Sequence, residues 1–130
     1  MILLDTHVII WLMTDPARIS RAAHDAILQA RMTDERIAYS PVSLYEIAYA
    51  VRRNRLPINS SARAFIEAIE GKLDLLPLTA EIVVLASELP DPFHGDPFDR
   101  MIAATAIVND CVLLTRDRRI TSANACRVLW

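Results

Sequence analysis

The sequence predicts an α/β fold in which a parallel sheet is covered by helices on both faces. Two observations carry this. Short, continuously apolar segments recur along the chain, with no apolar/polar alternation, as strands buried on both faces require. Between them lie stretches with apolar residues at helical spacing, so strand and helix alternate throughout.

Met1-Ile2-Leu3-Leu4 is the first strand, ending at Asp5. A short helical turn over residues 8–12 follows, and Asp15-Pro16 breaks it. Ser20 caps a helix over 20–29, with Ala22, Ala23, Ala26 and Ile27 at helical spacing. A second strand spans 36–40, and Pro41 suits the first turn of a helix reaching about Arg53. A helix over 60–70, a third strand over 73–76 and a helix over 80–88 come next. A proline-rich loop over 90–97 leads into a helix over 98–109, then a fourth strand over 112–115 and a fifth over 127–130. The 130 residues suit one domain spanning 1–130, with no repeat and no shift in composition.

Composition excludes several classes. Gly71 and Gly95 are the only glycines, so Walker-type and dinucleotide-binding loops are absent. The longest purely apolar run, residues 8–13, is far short of the roughly 20 residues of a membrane span, so no membrane association is expected. Cys111 and Cys126 lack metal-ligand spacing, and no signal peptide is visible, so a reduced, cytoplasmic setting is the expectation. Formal net charge is −2, which gives no global basic field for nucleic acid. The basic charge is unevenly chosen, which fits either a local guanidinium cluster or a plain codon-driven preference for arginine. Lys72 is the only lysine, and Arg100, Arg116, Arg118 and Arg119 lie close to two acids of interest. A planar guanidinium matches phosphate, and Arg100, Arg116 and Arg118 are candidate holders of flanking phosphates.

Right-handed crossovers put strand C-termini and the following helix N-termini on one edge of the sheet, where ligands of open α/β sheets bind. Asp5 closes strand one, and Asp117 lies two residues past strand four. Glu46 is early in the helix after strand two, and Asp99 is in the first turn of the helix before strand four. Each acid also has a plain structural use. Asp5 and Asp117 fit ordinary turns, Ser43-x-x-Glu46 matches a capping box, and Asp96-Pro97-Phe98-Asp99 matches a capped helix start. Four carboxylates at one edge repel one another unless a cation joins them. Oxygen-only ligands select Mg²⁺ or Mn²⁺, and such sites suit phosphodiester hydrolysis by metal-activated water.

Leu3-Leu4-Asp5-Thr6-His7, Ser43-x-x-Glu46-Ile47, His94-x-Asp96-Pro97-Phe98-Asp99-Arg100 and Leu113-Leu114-Thr115-Arg116-Asp117 together resemble the PIN-domain toxins of the VapC type, in the family's order and over nearly the whole chain. The resemblance implies a three-layer α/β/α PIN-like domain with a five-stranded parallel sheet. It implies an Mg²⁺-dependent endoribonuclease (Mn²⁺ substituting), an RNA substrate, a cognate antitoxin and a homodimer. Carried over by position, Asp5, Glu46, Asp99 and Asp117 are its catalytic, metal-holding acids, and Asp96 is an additional acid. Thr6 and Thr115 stand beside them as supporting hydroxyls. His7 and His94 are expected to be structural, and Trp11 to be core. Tyr45 and Tyr49 are expected in a partner groove. The competing expectation is a PIN domain that binds RNA or scaffolds without cleaving. A receiver domain would need a lysine after a late strand, and a haloacid-dehalogenase-like phosphatase a second aspartate where His7 stands.

Overall fold

A computed structural model describes residues 1–90 and 95–130. Five strands, β1 (Ile2–Leu4), β2 (Ile37–Tyr39), β3 (Asp74–Leu75), β4 (Val112–Leu114) and β5 (Val128–Leu129), form one parallel sheet in the order β3-β2-β1-β4-β5. The helices among the described residues are α1 (Thr6–Thr14), α2 (Arg21–Met32), α3 (Pro41–Arg52), α4 (Ala62–Glu70), α5 (Ala80–Glu88), α6 (Pro97–Val108) and α7 (Arg118–Ala123), and a 3₁₀ turn covers Pro16–Arg18.

The side-chain period of two along each strand divides the core into two layers. Ile2, Leu4, Ile37, Tyr39 and Leu114 face one side, against Ile9 of α1, Ile27 of α2 and Ile69 of α4. Leu3, Ala38 and Leu113 face the other, against Ile102, Ala103 and Ala106 of α6 and Ile120 of α7. Helix α5 packs on α6 through Ile82, Ala86 and Ala104. The central strands β1 and β2 are buried at every position, which explains their continuous apolar pattern. The expected three-layer architecture is therefore present.

Differences from the expectation are local. Helix α1 runs the full nine residues from Thr6, because Asp5 caps it directly. Both residues of β3 are exposed, since it is an edge strand. Helix α7 was not foreseen; its six residues bury only Ile120 and so carry no helical stripe. Residues 91–94 of the expected loop over 90–97, His94 among them, lie outside the described residues, and Pro97 already belongs to α6. With so few glycines, left-handed turns fall to Asp34, Asn54, Asp110 and Asn124, with φ of 54°, 53°, 51° and 50°. Their short polar side chains tolerate that region better than others do. Among the described residues no helix is long and apolar enough to cross a membrane.

The sheet order sets the position of the site. From β1 the chain proceeds outward to β2 and β3, then returns to place β4 on the opposite side of β1. The strand order reverses between β1 and β4, and a crevice opens at their carboxyl ends. Asp5 and Thr115 are the residues that follow those two strands.

Candidate active site

Asp5 is fixed from both sides of the crevice. One carboxylate oxygen accepts the Thr6 N–H at 2.7 Å, capping α1, and the other accepts the Thr115 hydroxyl at 2.7 Å. Thr115 in turn accepts the Asp117 N–H at 3.0 Å. Both Asp5 and Thr115 are buried, so this chain of bonds ties β1 to the segment after β4 in a low-dielectric setting. The Thr6 hydroxyl donates to Glu46 at 2.6 Å and lies 3.0 Å from the Ser43 hydroxyl. The expected capping box does not form. Pro41 takes the first helical turn, Ser40 is the cap, and Ser43 is already buried inside α3. Glu46 is thereby directed to Thr6 and the crevice.

Asp96 caps α6, accepting the N–H groups of Phe98 and Asp99 at 2.9 and 3.4 Å. Asp99 stands in the first turn of that helix with its side chain 13% exposed. Asp117 caps α7, accepting the Arg119 N–H at 2.7 Å. The capping uses and the placement at one edge coexist: the helix starts aim the carboxylates.

Electrostatics shows how closely the acids are gathered. Burial raises the Asp99 carboxyl to a pKa of about 7, with the charges of Asp96, Asp5, Asp117 and Glu46 adding to it. Burial also raises Asp5, opposed by the hydrogen bonds from Thr115 and Thr6 and assisted by Asp117. Glu46 is raised by burial against the Thr6 bond, with Asp5 and Asp96 contributing. The structure thus brings Asp5, Glu46, Asp96, Asp99 and Asp117 within one another's field.

Arg119 was not singled out from the sequence for this edge, because its direction depends on α7. Its guanidinium makes two contacts to Asp117, at 2.9 and 3.3 Å, and approaches Asp99 at 3.6 Å. That half-exposed charge does not outweigh four neighbouring carboxylates at Asp99. Among the described residues no three acidic, histidine or cysteine side chains stand in a ready metal-ligand cluster. The donors are nevertheless all carboxylate oxygens, crowded and partly desolvated, which fits a hard divalent cation.

The remaining candidates divide. Arg116 and Arg118 are exposed and line a concavity shared with Asp5, His7, Trp11 and Asp117. Arg100, expected with them, is committed elsewhere: its guanidinium donates to the Ala86 and Leu89 carbonyls at the end of α5. A cation there satisfies orphaned helix carbonyls. Arg100→Ala should therefore destabilise the fold by about 1–2 kcal/mol while leaving Mn²⁺ affinity unchanged, read by chemical denaturation and metal titration. An unchanged denaturation midpoint with weakened RNA binding would restore the phosphate role. Trp11 is core, as expected, and packs on Trp130 with ring centroids 5.6 Å apart. His7 is exposed and leans on Trp11 at 5.9 Å. Tyr45 and Tyr49 are exposed and stacked, centroids 6.2 Å apart, beside a groove of about 570 Å³ between α1 and α3.

The sequence profile described as "PIN domain" matches residues 2–125. The chain is 33% identical over 121 residues to Ribonuclease VapC22 of Mycobacterium tuberculosis (strain ATCC 25618 / H37Rv), covering 93% of this chain and 90% of that one. The fold is similar to that of VapBC2 from Rickettsia felis bound to a DNA fragment from its promoter, with a TM-score of 0.75 at 16% identity, covering 99% and 98% of the two chains. It is also similar to DNA-bound VapBC from Salmonella typhimurium, with a TM-score of 0.72 at 17% identity and the same coverage. The chain belongs to the PIN domain family.

Proposed function

We propose that the protein is the toxin of a type II toxin–antitoxin pair, an Mg²⁺-dependent endoribonuclease in which Mn²⁺ substitutes. The observation that carries this reading is the set of carboxylates sharing one field at the β1/β4 crevice, where burial raises Asp99 to a pKa of about 7 and its acidic neighbours add to the rise. The 33% identity to a protein named as a ribonuclease supports RNA as the substrate. The toxin–antitoxin complexes among the structural neighbours support a cognate antitoxin as partner. On the family resemblance of its motifs we further propose that the working unit is a homodimer, and its two free cysteines suit the reducing cytoplasm.

Asp5, Asp99, Asp117 and Glu46 would hold the cation, with Asp96 at the margin. When bound, the cation supplies activation of water and neutralisation of the scissile phosphate. The chain's own contribution is placement. Thr115 and Thr6 fix both oxygens of Asp5, so it does not rotate away. Thr6 also orients Glu46, so one residue serves two acids, Asp5 through its backbone N–H and Glu46 through its hydroxyl. Arg116 and Arg118, exposed beside Asp5 and Asp117, are placed to hold flanking phosphates, with affinity that falls as salt rises.

The test is cleavage of a panel of defined structured RNAs by chelator-treated protein, with and without added Mn²⁺. Cleavage restored by Mn²⁺ and abolished by chelator is the expected result. Mn²⁺-independent cleavage would remove the metal. RNA binding without cleavage under every condition would leave a binding or scaffolding module.

A further inference from the structure

The guanidinium of Arg119 occupies the position at which two of the site's acids meet. It binds both oxygens of Asp117, at 2.9 and 3.3 Å, and stands 3.6 Å from Asp99. The Arg119 backbone N–H also donates to Asp117 at 2.7 Å, so main chain and side chain converge on one carboxylate. The pairing favours the charged guanidinium strongly enough to raise its pKa. Yet the side chain is 62% exposed, against 13% for Asp99 and 21% for Asp117. The acids are built in, whereas the arginine lies over them from the solvent side on a long side chain able to swing away.

We propose that Arg119 is the site's resident counter-cation, competing with the divalent ion for Asp99 and Asp117 and so setting the metal affinity of the protein. This inference rests on the metal reading above. A carboxylate whose oxygens are engaged by a fork of N–H donors has fewer lone pairs to offer a metal. A fixed positive charge beside the site also repels a divalent cation. Both effects have the same sign, so Arg119 lowers affinity. A residue that merely propped the site open would have the opposite effect, because its removal would let the site collapse and bind metal less well.

Calorimetric titration of intact, chelator-treated protein with Mn²⁺ alone distinguishes these, using wild type, Arg119→Ala and Arg119→Lys. Exposure of the side chain means both variants should fold, which circular dichroism checks. Arg119→Ala should bind Mn²⁺ about two- to fivefold more tightly than wild type at low salt, the scale of an exposed pair. The lysine variant, a point charge without the fork, should fall between them. The gap should narrow at about 0.5 M salt, where exposed charges are screened. Metal-free Arg119→Ala should melt below wild type and gain more from saturating Mn²⁺. Equal or weaker Mn²⁺ binding by Arg119→Ala, with wild type binding normally, overturns the role of Arg119 alone. Wild type that binds no Mn²⁺ overturns the metal reading and this inference with it.

Discussion

Asp99→Asn should lose RNA cleavage by on the order of a thousandfold or more, the scale of removing a principal electrostatic element from a site, and should gain stability in the absence of metal. The second half follows from linkage. An ordinary aspartate carboxyl titrates near 3.8, and burial raises that of Asp99 to about 7 in the folded chain. A raised pKa means that the folded state holds the proton more tightly than the unfolded one. The associated stability is complete below about pH 4 and is lost as pH rises through about 7. Asparagine is neutral at every pH and escapes that loss. The full shift would be worth about 4 kcal/mol, but the side chain retains some exposure and Arg119 is near. A gain of about 1–3 kcal/mol at pH 8 is the reasonable expectation. Saturating Mn²⁺ should then reverse the ranking, because binding stabilises only the protein that binds. Denaturation of both proteins at pH 5 and pH 8, with and without Mn²⁺, reads this directly. An Asp99→Asn protein that cuts at the wild-type rate, or is no more stable than wild type at pH 8 without metal, would contradict the assignment.

Asp5→Asn should lose cleavage too, without that gain. Its two oxygens accept from Thr6 N–H and from Thr115, whose hydroxyl already accepts from Asp117 N–H. An amide presents one oxygen and one NH₂, so one buried donor is left facing another. That costs about 1–3 kcal/mol, which offsets the relief of a buried charge.

How much of this was legible from the sequence depended on local signals. The bounds of α5 and the start of α3 were readable, because the apolar residues of α5 keep helical spacing and Pro41 marks the start of α3. The buried strands β1 and β4 declared themselves by continuous apolar runs. Helix α7 did not, since Arg118-Arg119-Ile120-Thr121-Ser122-Ala123 has one buried side chain and no stripe. Missing it hid the reach of Arg119 to Asp117 and Asp99. Arg100 misled for the opposite reason: its closeness to Asp99 in sequence suggested the site, but helical geometry turns it toward the end of α5. Ser43-x-x-Glu46 offered a false cap because the motif ignores Pro41, which had already fixed where the helix begins.

The acids themselves posed capping and site membership as alternatives, and the structure makes them one arrangement. Asp5, Asp96 and Asp117 cap α1, α6 and α7. A parallel sheet directs the helix starts after its strands to one edge, so a cap aspartate there is also aimed at the crevice. The backbone N–H groups of the helix starts partly compensate the crowded negative charge. Glu46 and Asp99, which are not caps, depend instead on Thr6 and on the α6 first turn.

Ala50→Glu should separate antitoxin binding from cleavage, weakening the first by at least about a hundredfold and leaving the second near wild type. The groove between α1 and α3 is lined by Ile10, Trp11, Tyr49, Ala50, Leu56 and Pro57, and it opens at Thr6 and Glu46. An amphipathic segment seated there would bury apolar surface and cover the mouth of the acid site in the same step. Ala50 is half-buried near the end of α3, one helical turn beyond Glu46 on the same groove, and glutamate is nearly as good a helix former as alanine. The free protein should therefore fold normally, with the new carboxylate in water. On complex formation that carboxylate would be buried at a cost of several kcal/mol, of which Arg18 and Arg55 in the same lining offset a part. About 2.7 kcal/mol is already a hundredfold in Kd. Calorimetry with the cognate antitoxin, beside RNA cleavage in its presence, measures both effects. Ala50→Glu should cleave with Mn²⁺ as wild type does and resist inhibition. If the antitoxin binds it with the wild-type Kd, the partner covers some other face and the groove is not its dock. If cleavage falls in step with binding, the groove carries RNA as well, and the two partners compete for the same surface.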